Sequence, residues 1–306
     1  EPDPESYRAW LSARCKAAPD PELVADWGGR SGVLITQGFV ARSPDGCTAL
    51  LGRGGSDTTA ALLAASLQAE SIEIWTDVPG LFSADPREVP EARLIAELDY
   101  AEALELAASG ARVVHPRCIR AAADTGIPVQ VRDLGDPALE GTRIAANAGA
   151  GGEGIKAIAR QEGMAVLLLE NLDTRQHVGF LAWVFEIISG QGVSVDLVAT
   201  SETTTTIAIN SAANYLDDLA LNGLAGSLGE RCKVQVFPSC ECVNLVGRGA
   251  RTALGELGTV ADVFRDNPLL MLSQSANDLC ISLLVHPGNA ARLCRDLHRV
   301  LVAGGS

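Results

Sequence analysis

Glycine, arginine, serine and aspartate meet in one short stretch, residues 47–67 (CTALLGRGGSDTTAALLAASL). An alternating apolar run leads into Gly52-Arg53-Gly54-Gly55, and Ser56-Asp57 opens an Ala/Leu-rich segment of helical period. Residues of these types make an anion cradle. Glycines without Cβ let backbone N–H groups approach a ligand, and a helix N-terminus adds partial positive charge. Ser56 or Asp57 can cap the helix, and Arg53 brings a fork able to grip a carboxylate at two points. The competing reading is a tight strand-to-helix turn with a solvated arginine. Further polar residues follow. Thr76-Asp77 closes a short β-rich run, Phe82 starts LFSADPR with its Asp85-Pro86-Arg87 turn, and Arg112 precedes Val113-Val114-His115-Pro116. Either arginine taken singly reads equally as a surface side chain.

The elements that must position these groups alternate between strand and helix. Residues 33–42 and 48–51 read as strands around a Ser43-Pro44-Asp45-Gly46 turn, followed by a helix over 57–69 and a strand over 71–76. That order predicts a parallel sheet with ligands at the carboxyl ends of its strands. Asp99 to Glu102 has the form of a capping box for a helix over 100–109, and a helix over 117–125 leads to a strand over 127–132. Residues 5–26 read as a surface segment, with a helix around 6–16 and a proline-bounded loop through Asp20.

Composition removes several classes of function. The 306 residues are 47% hydrophobic and contain no apolar run of membrane-spanning length, and the net charge of -14 argues against a nucleic-acid surface. The eight cysteines are dispersed except Cys232, Cys240 and Cys242, whose spacing fits no zinc site. They read as thiols of a cytoplasmic protein, with no metal site. The start, Glu1-Pro2-Asp3-Pro4, carries no initiator methionine and no targeting segment, so the chain is expected to begin inside a longer one.

The runs TALLGRGGSDTTA, IEIWTDVPGLFSADPR, YAEALELAASGARVVHPR and IPVQVRDLGDPALEGTRI, in this order and spacing, resemble the carboxyl-terminal half of the catalytic domain of aspartate kinases. The resemblance implies a partial amino-acid-kinase fold, an α/β parallel-rich sheet with flanking helices. It implies transfer of the γ-phosphoryl group of ATP, as its Mg²⁺ complex, to the side-chain carboxylate of L-aspartate, with no tightly bound cofactor. By position, Arg53, Gly54, Gly55 and Ser56 would hold aspartate. Arg53 and Asp57 would be catalytic, Asp57 lying beside the reacting groups. Thr76 and Asp77 would meet the adenosine end, Phe82 would stack, and Arg87, Arg112 and Val113 would meet the phosphates. Cationic groups suit this chemistry, since phosphoryl transfer depends on positioning and charge neutralisation. Where the family commonly has TDVDG this chain has Thr76-Asp77-Val78-Pro79-Gly80, with Phe82 in place of tyrosine and Arg112 in place of lysine. The family's KFGG motif has no match here, nor do its pocket glutamate and threonine. A chain so lacking is expected to be inactive alone.

Beyond an Ala/Gly-rich stretch the pattern changes. Strand, helix, strand, strand, helix, strand over 164–237 is followed by a second such series that stops one strand short. GFLAWVFEIISGQGVSVDLVATSE is similar to the first ACT domain of aspartate kinases of the lysine-inhibited class. Carried over by position, Phe180, Leu181, Ser194, Val195, Asp196, Ser201 and Glu202 would line an effector pocket; the bland reading is a core helix and a turn. Residues 173–178 depart from the family pattern; lysine is the expected effector, with threonine the alternative. The expected domains are a kinase part over 1–145, a linker over 146–153, one ferredoxin-like ACT domain over 162–238, and another from 154–161 plus 239–306. The last assignment rests on strand counting: residues 155–160 alternate like a strand and the second series lacks one, so the two should pair. The resemblance implies a homodimer through the ACT domains. The alternative function is an amino-acid-sensing, dimer-forming module without turnover.

Overall fold

The computed structural model describes residues 17–43, 45–111, 113–146, 152–170, 178–255, 263–265 and 268–303. The helix expected around 6–16, Arg112 and the middle of the 146–153 linker lie outside the described residues. Contacts divide the chain into two compact units, Glu1–Ser83 with Ala92–Gly152 and Ala84–Glu91 with Glu153–Ser306. Residues 84–91, kinase-like by sequence, thus group with the second unit.

In the first unit, residues 17–20 form the loop expected through Asp20, and helix α1 (Pro21–Gly28), which the sequence reading omits, follows it. Asp20 makes the difference, its carboxylate accepting from the N–H groups of Glu22 and Leu23 while Pro21 occupies the first turn. Strand β1 spans only Val40–Arg42 rather than 33–42. Phe39, at φ 71°, interrupts the extended backbone, and Val33 and Ile35 upstream are 89% and 93% exposed. β1 pairs antiparallel with β2 (Thr48–Leu50) in a separate two-stranded sheet, so β2 does not join the parallel sheet expected of it. The turn bonds Ser43 N–H to Cys47 O and Cys47 N–H to Ser43 Oγ, and a local hairpin is the outcome.

Helix α2 (Gly55–Leu67) leaves the glycine loop and packs against α4 (Pro116–Thr125). Alanines 61, 64 and 65 on one helix and Cys118, Ala121 and Ala122 on the other are buried and small, which lets the helices approach closely. Helix α3 (Tyr100–Ala108) begins with a complete capping box between Asp99 and Glu102. The sheet of this unit is mixed. Its order is β3 (Ile72–Thr76), β5 (Val129–Asp133), β6 (Thr142–Ile144), β4 (Glu97–Leu98), with β3/β5 and β4/β6 parallel and β5/β6 antiparallel. The sequence reading omits β4 and β6, which are too short to show alternation.

The second unit is built on one six-stranded sheet of order β11-β12-β10-β7-β9-β8. Two 14-residue strands, β7 (Ala157–Glu170) and β10 (Lys233–Val246), run through its centre. The later part of β7, α5 (Phe180–Gly190), β8 (Leu197–Thr200), β9 (Thr204–Asn210), α7 (Asp218–Leu228) and the start of β10 form a βαββαβ series. The later part of β10 continues through α8 (Ala250–Gly255), β11 (Leu269–Gln274), β12 (Cys280–Val285) and α9 (Ala290–His298). Its fourth strand comes from before the first series: Ala157, Ile158, Ala159, Arg160 and Gln161 pair antiparallel with Val246, Leu245, Asn244, Val243 and Cys242. Separate strands were the expectation for residues 155–160 and 164–170, and for 233–237 and 243–246. Instead Gly163 (φ 72°) and Ser239 (φ 56°), both left-handed, sit at irregularities that both strands traverse.

Leu167, Leu169, Ile207 and Ile209 on one face of this sheet bury against Val184 and Ile188 of α5 and Leu221, Leu224 and Leu228 of α7. The expected helix over 215–228 is two pieces, α6 (Ser211–Asn214) and α7, because Tyr215 is left-handed (φ 53°) and Asp217 caps a new start. Among the described residues, no helix is long and apolar enough to cross a membrane.

Candidate functional site

The glycine loop makes its turn with two left-handed residues, Gly52 (φ 71°) and Gly54 (φ 67°). Gly54 is the N-cap of α2 and no side chain caps the helix, so neither Ser56 nor Asp57 has the capping role expected of it. A side chain at Gly54 would meet the His115 ring, with Cβ 2.1 Å from Cγ, and one at Gly55 would meet the Phe39 ring at 2.6 Å. Asp57 is held from outside its helix: its Oδ2 accepts from the backbone N–H of His115 at 3.2 Å. Ser56 and Arg53 are exposed, Gly55 is buried, and Asp57 is half-buried. Arg53, Gly54 and Asp57 thus converge on His115.

His115, to which the sequence reading gave no role, organises the back of this loop. It is the N-cap of α4, and its Nδ1 accepts from the N–H of Arg117 at 3.2 Å. Burial pushes its pKa below 6.5, with Arg117 and Arg53 adding to the effect and Asp57 opposing it. The ring is therefore neutral near pH 7, with its proton on Nε2. The signal was present in the pair His115-Pro116, a side chain able to cap followed by proline at the first helical position.

Thr76 ends β3 and Asp77 follows it, and Thr76 Oγ1 donates to Asp77 Oδ1 at 3.1 Å. The turn after them is held by Thr142, whose hydroxyl accepts from Leu81 N–H at 2.9 Å and donates to Ile95 O at 2.7 Å. Gly80 (φ 149°) lies 2.4 Å, as measured to an added Cβ, from that hydroxyl, so the turn admits no side chain there. Phe82 is half-buried and bridges Leu94. Val113 is half-buried, and Arg112 lies outside the described residues. Arg87 belongs to the second unit and is exposed, its fork closed on Asp85 at 2.6 Å. The Arg87 hydrogen bond holds the Asp85 carboxyl below its ordinary range. An anion reaching Arg87 must compete with Asp85.

The residues expected at an effector site occupy two places in the second unit. Phe180 starts α5 just after the left-handed Gly179 and, with Val195, packs on the buried α5/α7 cluster; Leu181 beside it is exposed. Ser194 is clamped by Asn214, whose Oδ1 accepts from Ser194 N–H at 2.6 Å and from its Oγ at 2.9 Å. Asp196 Oδ2 accepts from Asn210 N–H at 2.7 Å. One side of Asp196 is open to solvent, while protein on the other removes enough water to raise its pKa, against the Asn210 hydrogen bond. Ser201 and Glu202 lie past the other end of β8, about 16 Å along the strand from Asp196 at ~3.3 Å per residue. There Ser201 Oγ bonds the Thr204 hydroxyl at 2.7 Å. Asn214 has no sequence signal, since its role depends on the break between α6 and α7.

Among the described residues, no three His, Cys, Asp or Glu side chains form a group that could hold a metal ion. The seven described cysteines are free. Burial pushes Cys118, Cys242 and Cys294 up to about 12 and Cys240 to about 11, so these thiols are inert at neutral pH.

Comparison with known proteins agrees with this architecture. Residues 20–133 match the model of the amino acid kinase family. The chain is 36% identical over 269 residues to lysine-sensitive aspartokinase 3 of Escherichia coli, covering 87% of this chain and 60% of that protein. In structure it is similar to E. coli aspartokinase III in complex with aspartate and ADP, with a TM-score of 0.77, 35% identity, and coverage of 88% of this chain and 60% of that one. The same enzyme in complex with lysine and aspartate matches with a TM-score of 0.73 and 36% identity, over 87% of this chain and 59% of that one. The chain therefore spans about 60% of the length of these relatives. The chain thus carries a stretch, residues 20–133, that matches the amino acid kinase family model, and most of it is similar in sequence and fold to aspartokinases.

Proposed function

We propose that this chain carries part of an aspartate kinase together with its amino-acid-sensing unit. The reaction is transfer of the γ-phosphoryl group from MgATP to the side-chain carboxylate of L-aspartate, giving 4-phospho-L-aspartate. The observation that carries this reading is the glycine loop at the uncapped start of α2, with Arg53 and Asp57 on either side of it. In this reading Arg53, Gly54, Gly55 and Ser56 hold the substrate. A carboxylate there completes the helix start that no side chain caps, and Arg53 adds a two-point charge-assisted contact. Asp57, fixed by the His115 N–H, stands beside the reacting groups. Thr76, Asp77 and Phe82 receive the adenosine end and Arg87, Arg112 and Val113 the phosphates. Mg²⁺ arrives with the nucleotide and offsets phosphate charge during transfer.

The second unit senses an end-product amino acid in this reading. Lysine is the proposed effector, with threonine the other candidate. The E. coli relative is named lysine-sensitive and has been crystallised with lysine, and Asp196 offers a carboxylate to an ammonium group. Among the described residues β8 is hydrogen-bonded to β9 alone, while its Leu197 and Ala199 pack in one cluster with Leu270 and Met271 of β11. In the proposed homodimer a second copy contributes its own Ser201 and Glu202 to the site that holds Asp196. The unbridged thiols suit a reducing compartment such as the cytoplasm.

The test uses the full-length protein and measures ATP-dependent aspartyl phosphate formation. Arg53→Ala should raise the KM for aspartate and Asp57→Ala should chiefly lower kcat. Unchanged kinetics in both variants would remove the glycine loop from the active site. Lysine binding by calorimetry with no turnover in the full-length protein would instead establish the sensing-only alternative.

A further inference from the structure

Three contacts from one helix start hold the glycine loop. The His115 ring stands where a side chain at Gly54 would be, the His115 N–H donates to Asp57 Oδ2, and Arg117 Nη1 donates to Leu51 O at 3.0 Å. His115 is the N-cap of α4, and Arg117 lies in its first turn. The two residues are tied to each other, since the Arg117 N–H donates to His115 Nδ1 at 3.2 Å. Both are half-buried, and Leu51, whose carbonyl Arg117 holds, is buried. The sequence reading gives Arg117 no role.

A peptide unit is planar and trans, so its carbonyl and the N–H that follows point in opposite directions. Fixing a carbonyl therefore aims the next N–H. The Gly52 carbonyl accepts from the Gly55 N–H at 3.0 Å, and the Gly54 carbonyl accepts from the Thr58 N–H at 3.0 Å and the Thr58 hydroxyl at 2.8 Å. Those bonds stay within the loop and its own helix. The Leu51 carbonyl, just past the end of β2, is held instead by a side chain of α4. Leu51 N–H is anchored on Phe39 O at 2.9 Å, while Gly52 follows with φ 71° and no Cβ. The Leu51–Gly52 unit is thus a place where a peptide plane can turn over at little steric cost, and a charged donor on its carbonyl opposes that.

We propose that Arg117 is a positioning residue for the substrate, keeping the Leu51–Gly52 peptide in the one orientation in which the glycine loop grips the aspartate carboxylate. This rests on the aspartate kinase reading above, in which that loop holds L-aspartate. Arg117 acts through the backbone of the loop, so its effect falls on the affinity for aspartate and leaves that for the nucleotide as it is.

The test is Arg117→Ala in the full-length protein, with the KM values for aspartate and ATP, aspartate binding by calorimetry, and thermal unfolding measured beside wild type. The aspartate KM and dissociation constant should rise on the order of tenfold, the size expected when a hydrogen bond from a charged donor is lost, with the ATP KM unchanged. Ethylguanidinium ion added at millimolar concentration should bring the aspartate KM of Arg117→Ala back towards wild type, a rescue that a merely destabilised variant does not show. Arg117→Lys keeps a charged donor of different reach; it should raise the aspartate KM less, and it serves as the test should Arg117→Ala not fold. A folded variant with the wild-type aspartate KM would overturn the proposal, as would an equal rise in both KM values. In that case normal turnover by the wild type leaves the aspartate kinase reading standing. Aspartate binding and turnover both missing from the full-length wild type would bring down that reading, and the proposal with it.

Discussion

At the scale of single residues, Gly54 and His115 make one unit. The φ of 67° at Gly54 already disfavours a side chain, and the His115 ring occupies the space a Cβ needs. Gly54→Ala should therefore cost more than about 1 kcal/mol in chemical denaturation, with a raised aspartate KM. His115 itself predicts a pH dependence. Its folded pKa lies below 6.5, so its contribution to stability is complete above 6.5 and is lost as pH falls through the folded value. Thermal unfolding followed from pH 8 to 5 should show that loss in wild type and not in His115→Asn. Asp196 works in the opposite sense. Its folded pKa is raised above 3.8, so its carboxylate takes up a proton at a higher pH than an ordinary aspartate, and under the proposed role in effector binding this removes the partner of an ammonium group. Lysine affinity should weaken as pH drops through that value, and Asp196→Asn should bind weakly with no such dependence by calorimetry.

At the scale of elements, what could be read in the sequence follows how locally each element is determined. The capping box at Asp99 and Glu102 is complete within four residues, and it stands as the sequence indicates. Asp99→Ala should cost about 1 kcal/mol, measured by chemical denaturation. The glycine loop and its helix are legible for the same reason, because loop geometry and helix start share adjacent residues. The β1 strand is not, since its limit depends on Phe39, whose backbone N–H bonds Thr59 Oγ1 twenty residues away. Asn214 and Thr142 escape notice likewise: each bonds a backbone group distant in sequence, and nothing next to either side chain announces it.

At the scale of the molecule, strand counting locates the partner of residues 157–161 because an unpaired ladder is costly wherever it falls. The continuity of β7 and β10 was hidden because Gly163 and Ser239 carry turn conformations inside strands. That continuity makes the six-stranded sheet one cooperative object. Ala159→Pro, which removes an N–H within the pairing of β7 and β10, should lower amide-exchange protection in residues 164–170 as well as in 243–246. The shared strands also bear on protein engineering. A graft that treats this region as two cassettes, cut near Phe237, parts the later series from residues 157–161 and severs β10 at mid-length. A transplantable sensor from this chain must keep Glu153 to the end of α9 in one piece, and the Ala84–Glu91 segment groups with it. Recombination between relatives is then expected to conserve residues 153–298 as a block, exchanging partners at its outer ends rather than at its centre.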